Sequence, residues 1–321
     1  MDACQTRIDC AAGAVSPLVR KDLAAIQPWK QPTQPCLVSL VQRGAGDHAC
    51  CGCGTGRDQT GGGCSVTEAL LRFFAPCPRG LEQVLADELK GLGASNARIR
   101  AAGVQFEADR AGGYRANLHS RLASRVLFWL GSGQVRQDED VYRIARRQDW
   151  TKLFTVEQRL RVDLSATRSR ARSLQYLTLR IKDAVVDGFR EHSEQRPSVD
   201  TQDPDVRIVG HLEADRLDLY MDWSGESLFK RGWRGRDDKG EAPLKENLAA
   251  GLVHLSQWSS DQPLADLFCG SGTILIEAAQ IRWGIAPGLK RRFAFEALKD
   301  FDPLLWLSVR DDAIAVTMPL P

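Results

Sequence analysis

The chain has 321 residues, 43% of them hydrophobic, enough to bury two ordinary domains or one large one. Its formal charge of +2 says little about partners, so any nucleic-acid signal has to come from local clustering. No apolar run reaches membrane-spanning length and the opening MDACQTRIDC lacks the apolar core of a secretion signal, which argues against a membrane partner and makes a cytoplasmic location the expectation.

Residues 1–70 hold scattered Gly, Pro and Cys with no sustained period and read as an irregular or disordered extension. Eight of the nine cysteines lie at or before Cys77. His48, Cys50, Cys51, Cys53 and Cys64 offer ligands. Adjacent cysteines and a single-residue gap nevertheless fit poorly with the paired knuckles of a structural zinc site, and no metal is expected.

Periodic structure begins after FFAPCPRG. In LEQVLADELKGLG, Leu81, Val84, Leu85, Leu89 and Leu92 share one helical face, and glycine ends the run. GVQFEA predicts a short strand. GYRANLHSRLASRVLFWL, with Tyr114, Leu118, Leu122 and Val126 in period, predicts another helix. RLRVDLSA alternates Leu160, Val162 and Leu164 as a half-buried strand does. LQYLTLRIKDAVVDGFRE carries Leu174, Leu177, Ile181, Val185 and Phe189 on one helix face. DRLDLYMDWSG adds a strand through Leu217, Leu219, Met221 and Trp223, and FKRGWRGR a basic, aromatic turn.

Charge is concentrated in the middle third. From Arg143 to Arg196 there are 13 Lys or Arg against 7 Asp or Glu, an excess that the whole-chain total conceals. Arg168, Arg170, Arg172 and Lys182 fall on a loop and helix start where they could meet phosphates. A solvated basic face is the competing reading.

LADLFCGSGTILIEAAQ, Leu264 to Gln280, reads as a strand over Leu264–Phe268, a turn of small residues, and a helix from Thr273 to Gln280. Gly270, Ser271 and Gly272 let a ligand approach the backbone, while the helix start offers unpaired N–H groups to a carboxylate. Cys269 reads as a packed small side chain, since no base is fixed beside it. The preceding PLKENLAAGLVHL predicts a helix packing through Leu244, Leu248, Leu252 and Leu255.

Taken in order, PRGLEQVLADELKGLGA, LHSRLASRVLFWL, YLTLRIKDAVVDGF, LYMDWSGESLFKRGWR and APLKENLAAGLVHLSQW resemble the N-terminal half of bacterial 23S ribosomal RNA guanine-N2 methyltransferases that carry a THUMP domain. ADLFCGSGTILIEAA is similar to the first cofactor motif of S-adenosylmethionine-dependent methyltransferases. The resemblance runs from about Phe73 to about Trp306 and excludes residues 1–70.

It implies an α/β fold class: an α+β RNA-binding region with a THUMP-like domain, then the beginning of a Rossmann-like methyltransferase domain. The expected division is an extension at 1–70, a ferredoxin-like plus THUMP-like region at 71–225, and a linker with an incomplete methyltransferase domain at 226–321. By resemblance, Asp266, Phe268, Gly270, Ser271, Gly272 and Thr273 contact S-adenosylmethionine, Lys245, Glu246 and Asn247 border it, and 23S ribosomal RNA is the partner.

Enzymes of this kind position the acceptor amine with an Asn-Pro-Pro-aromatic loop. The only asparagines here are Asn96, Asn117 and Asn247, all before the cofactor motif. Asp302-Pro303 belongs to a different family segment and lacks a following ring. A full sheet needs several βα units of about 30 residues each, and 57 residues follow Leu264. The expectation is therefore an RNA-binding portion, catalytically incomplete as it stands, with a completing methyltransferase polypeptide as a possible partner. A non-catalytic THUMP-type RNA-binding protein is the alternative.

Overall fold

The computed structural model describes residues 69–233 and 244–318. The extension at 1–70 and its cysteine cluster lie almost entirely outside the described residues.

Seven strands form one sheet: β1 (Leu71–Pro76), β2 (Ser95–Arg100), β3 (Gly103–Ala108), β4 (Leu127–Gln134), β5 (Leu160–Thr167), β6 (Val206–Glu213) and β7 (Arg216–Asp222). Their order is β2-β3-β1-β4-β7-β6-β5, and only β5 and β6 run parallel. With α1 (Glu82–Gly91) and α2 (Arg110–His119), the first four strands make a ferredoxin-like β-α-β-β-α-β unit. The remaining strands alternate with α3 (Asp138–Arg146) and α4 (Leu174–Ser193). Pairing of β4 with β7 fuses the two parts into a single sheet.

The period-2 pattern of the strands sets which side is covered. Phe73, Phe106, Ile208, Leu212, Leu217, Leu219 and Met221 are buried in one core with Leu85, Leu89, Tyr114, Ile144, Leu177 and Ile181 of the helices. Most residues between them point to the other face and are half-buried or exposed.

Two sequence expectations need correction here. GYRANLHSRLASRVLFWL is not one helix: α2 stops at His119, Ser120 is extended, and β4 begins at Leu127. Leu122 and Val126 are buried in either case, so apolar spacing alone did not separate the two structures. The strand wins because its aromatic residues Phe128 and Trp129 find ladder partners on both sides, Phe73 on β1 and Tyr220 on β7.

The second concerns α5 (Glu246–Leu255), whose leucines were expected to pack. Leu248, Leu252 and Leu255 are exposed, whereas Asn247, Ala249, Ala250, Gly251 and Val253 are buried. Small residues let the helix come close to the ferredoxin-like unit: a Cβ at Gly251 would meet Leu81 at 2.4 Å.

The C-terminal part holds α5, α6 (Thr273–Arg282) and α7 (Pro303–Ala315), with no strand among its described residues. It returns to the sheet through an aromatic cluster. Tyr114 stacks on Phe295 at 4.4 Å between ring centres, and Trp306 meets Phe295 edge-on at 5.1 Å. Arg110 pairs with Asp300 at 2.8 Å. The Asp302 carboxylate accepts from the N–H groups of Leu304 and Leu305, both at 3.0 Å. Asp302-Pro303 thus starts a helix, with proline at its first position, where its missing N–H costs nothing.

Candidate functional sites

The expected strand at Leu264–Phe268 is irregular chain in the structure. A strand is held by ladder partners, and none of the described strands lies beside this segment. Leu267 and Phe268 are 87% and 95% exposed. Asp266 is half-buried and accepts from the Phe268 N–H at 3.1 Å. Cys269, expected to pack, is exposed.

The turn itself forms. Gly270 and Gly272 both have left-handed φ, +52° and +72°, which explains glycine at each position, and neither has a neighbour close to where a Cβ would stand. The Gly272 N–H donates to the Cys269 carbonyl at 2.7 Å, and α6 starts at once. The N-cap residue, Gly272, has no side chain with which to cap this helix start. The Ser271 and Thr273 hydroxyls lie 3.2 Å apart beside it, Ser271 exposed and Thr273 buried. Backbone approach, two hydroxyls and an uncapped helix start fit the carboxylate end of an amino-acid-like ligand.

What holds α6 in place was missed from sequence. Glu277 is fully buried and pairs with Arg121 and Arg231, each at 3.2 Å. Arg231 also donates to the carbonyls of Leu228 and Arg121, at 2.8 and 2.6 Å. Arg121 donates to the Ile285 carbonyl. Burial pulls the Arg121 guanidinium down from its ordinary range, and Glu277 opposes that pull. The signal in the sequence was a single carboxylate inside the apolar run ILIEAA. Beside this network, the Asn247 amide donates to the Leu122 carbonyl at 3.3 Å and the Ser124 hydroxyl at 3.2 Å. Lys245 lies over the Phe229 ring, 5.3 Å from its centre.

The basic residues divide. Arg168 and Arg170 line a cleft of about 590 Å³ with Arg136, Asp138, Leu177 and Asp215, between the end of β4, the start of α3 and the loop after β5. The Arg168 side chain is 79% exposed and reaches Glu213 only at 4.0 Å. Arg170 and Arg172 are exposed, with no ion pair among the described residues; Arg172 stands outside the cleft lining. Lys182 is not grouped with them: it sits further along α4 and pairs with Asp183 at 2.7 Å.

Comparison with known proteins follows the same division. Residues 72–127 match the RlmL ferredoxin-like domain, 135–222 the THUMP domain, and 231–316 the RMKL-like methyltransferase domain. A ribosomal RNA large subunit methyltransferase K/L of Photobacterium profundum is 43% identical over 243 residues, 75% of this chain and 34% of that protein. Its counterpart in Aeromonas salmonicida is 44% identical over 245 residues, 76% of this chain and 34% of that protein. The chain thus spans about a third of the length of these relatives.

Among solved structures, a Listeria monocytogenes protein described as a predicted N6-adenine-specific DNA methylase is 29% identical, with a TM-score of 0.71 over 78% of this chain and 65% of that one. SMU.472, described as a methyltransferase and complexed with SAH, is 29% identical, with a TM-score of 0.70 over 78% and 66%. In its domains and their order, this chain is similar to THUMP-containing RMKL-like methyltransferases.

Proposed function

We propose that this chain supplies the RNA-docking region and the first element of the cofactor pocket of a cytoplasmic 23S ribosomal RNA guanine-N2 methyltransferase that uses S-adenosylmethionine. The observation that carries the reading is the joint between the two parts. The glycine turn opens directly into α6, and Glu277 of α6 is clamped by Arg121 of the α2–β4 connection. In this reading 71–225 is the ferredoxin-like plus THUMP-like region, and 226–321 the linker and an incomplete Rossmann-like domain.

The cofactor, when bound, supplies a methyl group already activated on a sulfonium. Gly270 and Gly272 keep the turn open to it, while Ser271, Thr273 and the first N–H groups of α6 hold its carboxylate. Asp266 and Phe268 line the neighbouring side. Arg168, Arg170 and Arg172 neutralise RNA phosphates, and Lys182, already paired with Asp183, contributes less.

Transfer also requires the acceptor nitrogen to be fixed in line with the donor. No asparagine follows the turn, and the described residues give the ligand one wall. The chain alone is therefore proposed to bind S-adenosylmethionine weakly and to transfer nothing. The exposed Leu248, Leu252, Leu255, Leu267 and Phe268 are apolar surface that a completing polypeptide would bury. The same one-walled turn favours the second reading, a non-catalytic THUMP-type RNA-binding protein.

Purified chain incubated with undermodified ribosomal RNA and radiolabelled S-adenosylmethionine should give no N2-methylguanine above a Gly270→Asp control. Label above that control would mean that the chain builds a complete site. Replacing Arg168, Arg170 and Arg172 by alanine should weaken binding of structured RNA and lower the salt slope by up to about three. An unchanged slope would remove these arginines from the RNA contact.

A further inference from the structure

On the sheet face opposite the helices, the middle strands present aromatic side chains that are not those of an ordinary solvated face. Phe74 on β1 and Tyr220 on β7 reach towards each other, 6.0 Å between ring centres. Trp129 on β4 is the ladder partner of Tyr220, and the Arg72 guanidinium lies over its ring at 5.2 Å. All three rings are only half-buried. Leu127 lies on the same face of β4 and is buried.

Charge frames this patch on one side. Arg98 and Arg100 are exposed on β2, the edge strand. Arg100 donates to Gln105 at 3.3 Å, and neither arginine has a carboxylate partner among the described residues. Glu107, Asp163, Asp218, Glu213 and Asp222 also face this side, but each is already beside an arginine: Arg72 at 3.4 Å, Arg161 at 2.9 Å, Arg216 at 3.5 Å, Arg168 at 4.0 Å and Arg125 respectively. The uncompensated charge is positive.

We propose that this open face is a second RNA-docking surface, distinct from the Arg168–Arg170 cleft, which takes unpaired nucleotides. Their bases stack on Phe74, Trp129 and Tyr220, and their phosphates run towards Arg98 and Arg100. Flat rings on a sheet offer π-faces that any base can use. A duplex hides its own π-faces within the stack, so it gains only the phosphate contacts here. The cleft, by contrast, has arginines and no exposed ring in its lining.

The inference rests on the reading of the chain as RNA-binding, and the test separates the two. Fluorescence anisotropy on the full chain compares an oligouridylate of about 12 nucleotides with a duplex RNA of the same length. Trp129→Ala should weaken single-strand binding about tenfold with little change in salt slope, and Trp129→Phe should restore most of it. Duplex affinity should follow Arg168 and Arg170 and ignore Trp129.

Arg100→Glu, at an exposed edge position that cannot empty the core, should weaken single-strand binding and lower its salt slope by at least about one, and it decides the matter if Trp129→Ala does not fold. Unchanged single-strand affinity in a folded Trp129→Ala, or an unchanged slope in Arg100→Glu, overturns the proposal. Duplex binding without single-strand binding defeats this inference and leaves the RNA reading standing. Binding of neither defeats both.

Discussion

Glu277 is the residue on which the C-terminal part turns. A carboxylate with no exposed surface survives only if its charge is answered, and Arg121 and Arg231 answer it from two different segments. Glu277→Leu should therefore destabilise the chain by about 3–5 kcal/mol in urea titrations, because it leaves two guanidinium groups buried without their partner. A loss below about 1 kcal/mol would mean that water reaches the site. His119, two residues before Arg121, gives a pH test. Burial, Arg121 and Arg115 together lower its pKa from the usual 6.5. A base whose folded pKa is lowered takes its proton more readily when unfolded. Its contribution is present above pH 6.5 and is lost as pH falls from there towards the lowered value. His119→Gln should flatten that part of the stability–pH curve, measured as urea midpoints across the interval.

At the scale of elements, α5 shows how an apolar stripe can mislead. Its leucines repeat with helical spacing, but the face made of Asn247, Ala250 and Gly251 is the one that docks, because only small side chains allow the approach to Leu81. Gly251→Val should cost about 1–3 kcal/mol through overpacking. Leu252→Ser, on the exposed side, should stay within about 0.5 kcal/mol. Thermal denaturation of the two variants checks the orientation, and the reverse ranking would mean that the helix is rotated. The strand expected at Leu264–Phe268 belongs to the same lesson. Its sequence suits a strand, yet none of the described strands pairs with it. By contrast α1, α4, β3, β5 and β7 were legible, since each buries one face against a partner close in the chain or in the sheet.

On the scale of the whole described body, the C-terminal segment and the sheet share one aromatic cluster. Tyr114, Trp223, Phe293, Phe295 and Trp306 are linked by a chain of ring contacts. Residues 69–233 and 244–318 should therefore unfold in one transition, with far-UV and near-UV circular dichroism curves that coincide. Phe295→Ala should lower the midpoint of both together, by about 3–5 kcal/mol of stability. Two separated transitions would show that the cofactor turn and the RNA-facing region fold independently, and the clamp at Glu277 would then not couple them.

The sequence by itself determined most of the element types, the order of the domains and the glycine turn, because these depend on local spacing: period 2 or 3.6 for burial, and small residues where the chain must bend left-handed. It also showed where positive charge gathers along the chain. Tertiary structure alone decided which charges meet. It brought Arg168 and Arg170 into a cleft with Arg136 and enclosed Glu277 between two arginines. It also set Phe74, Trp129 and Tyr220 together on the open side of the sheet, from strands that lie far apart in the chain. Strand order and register pair residues as distant as Leu127 and Asp222, and such pairings leave no periodic trace in the sequence.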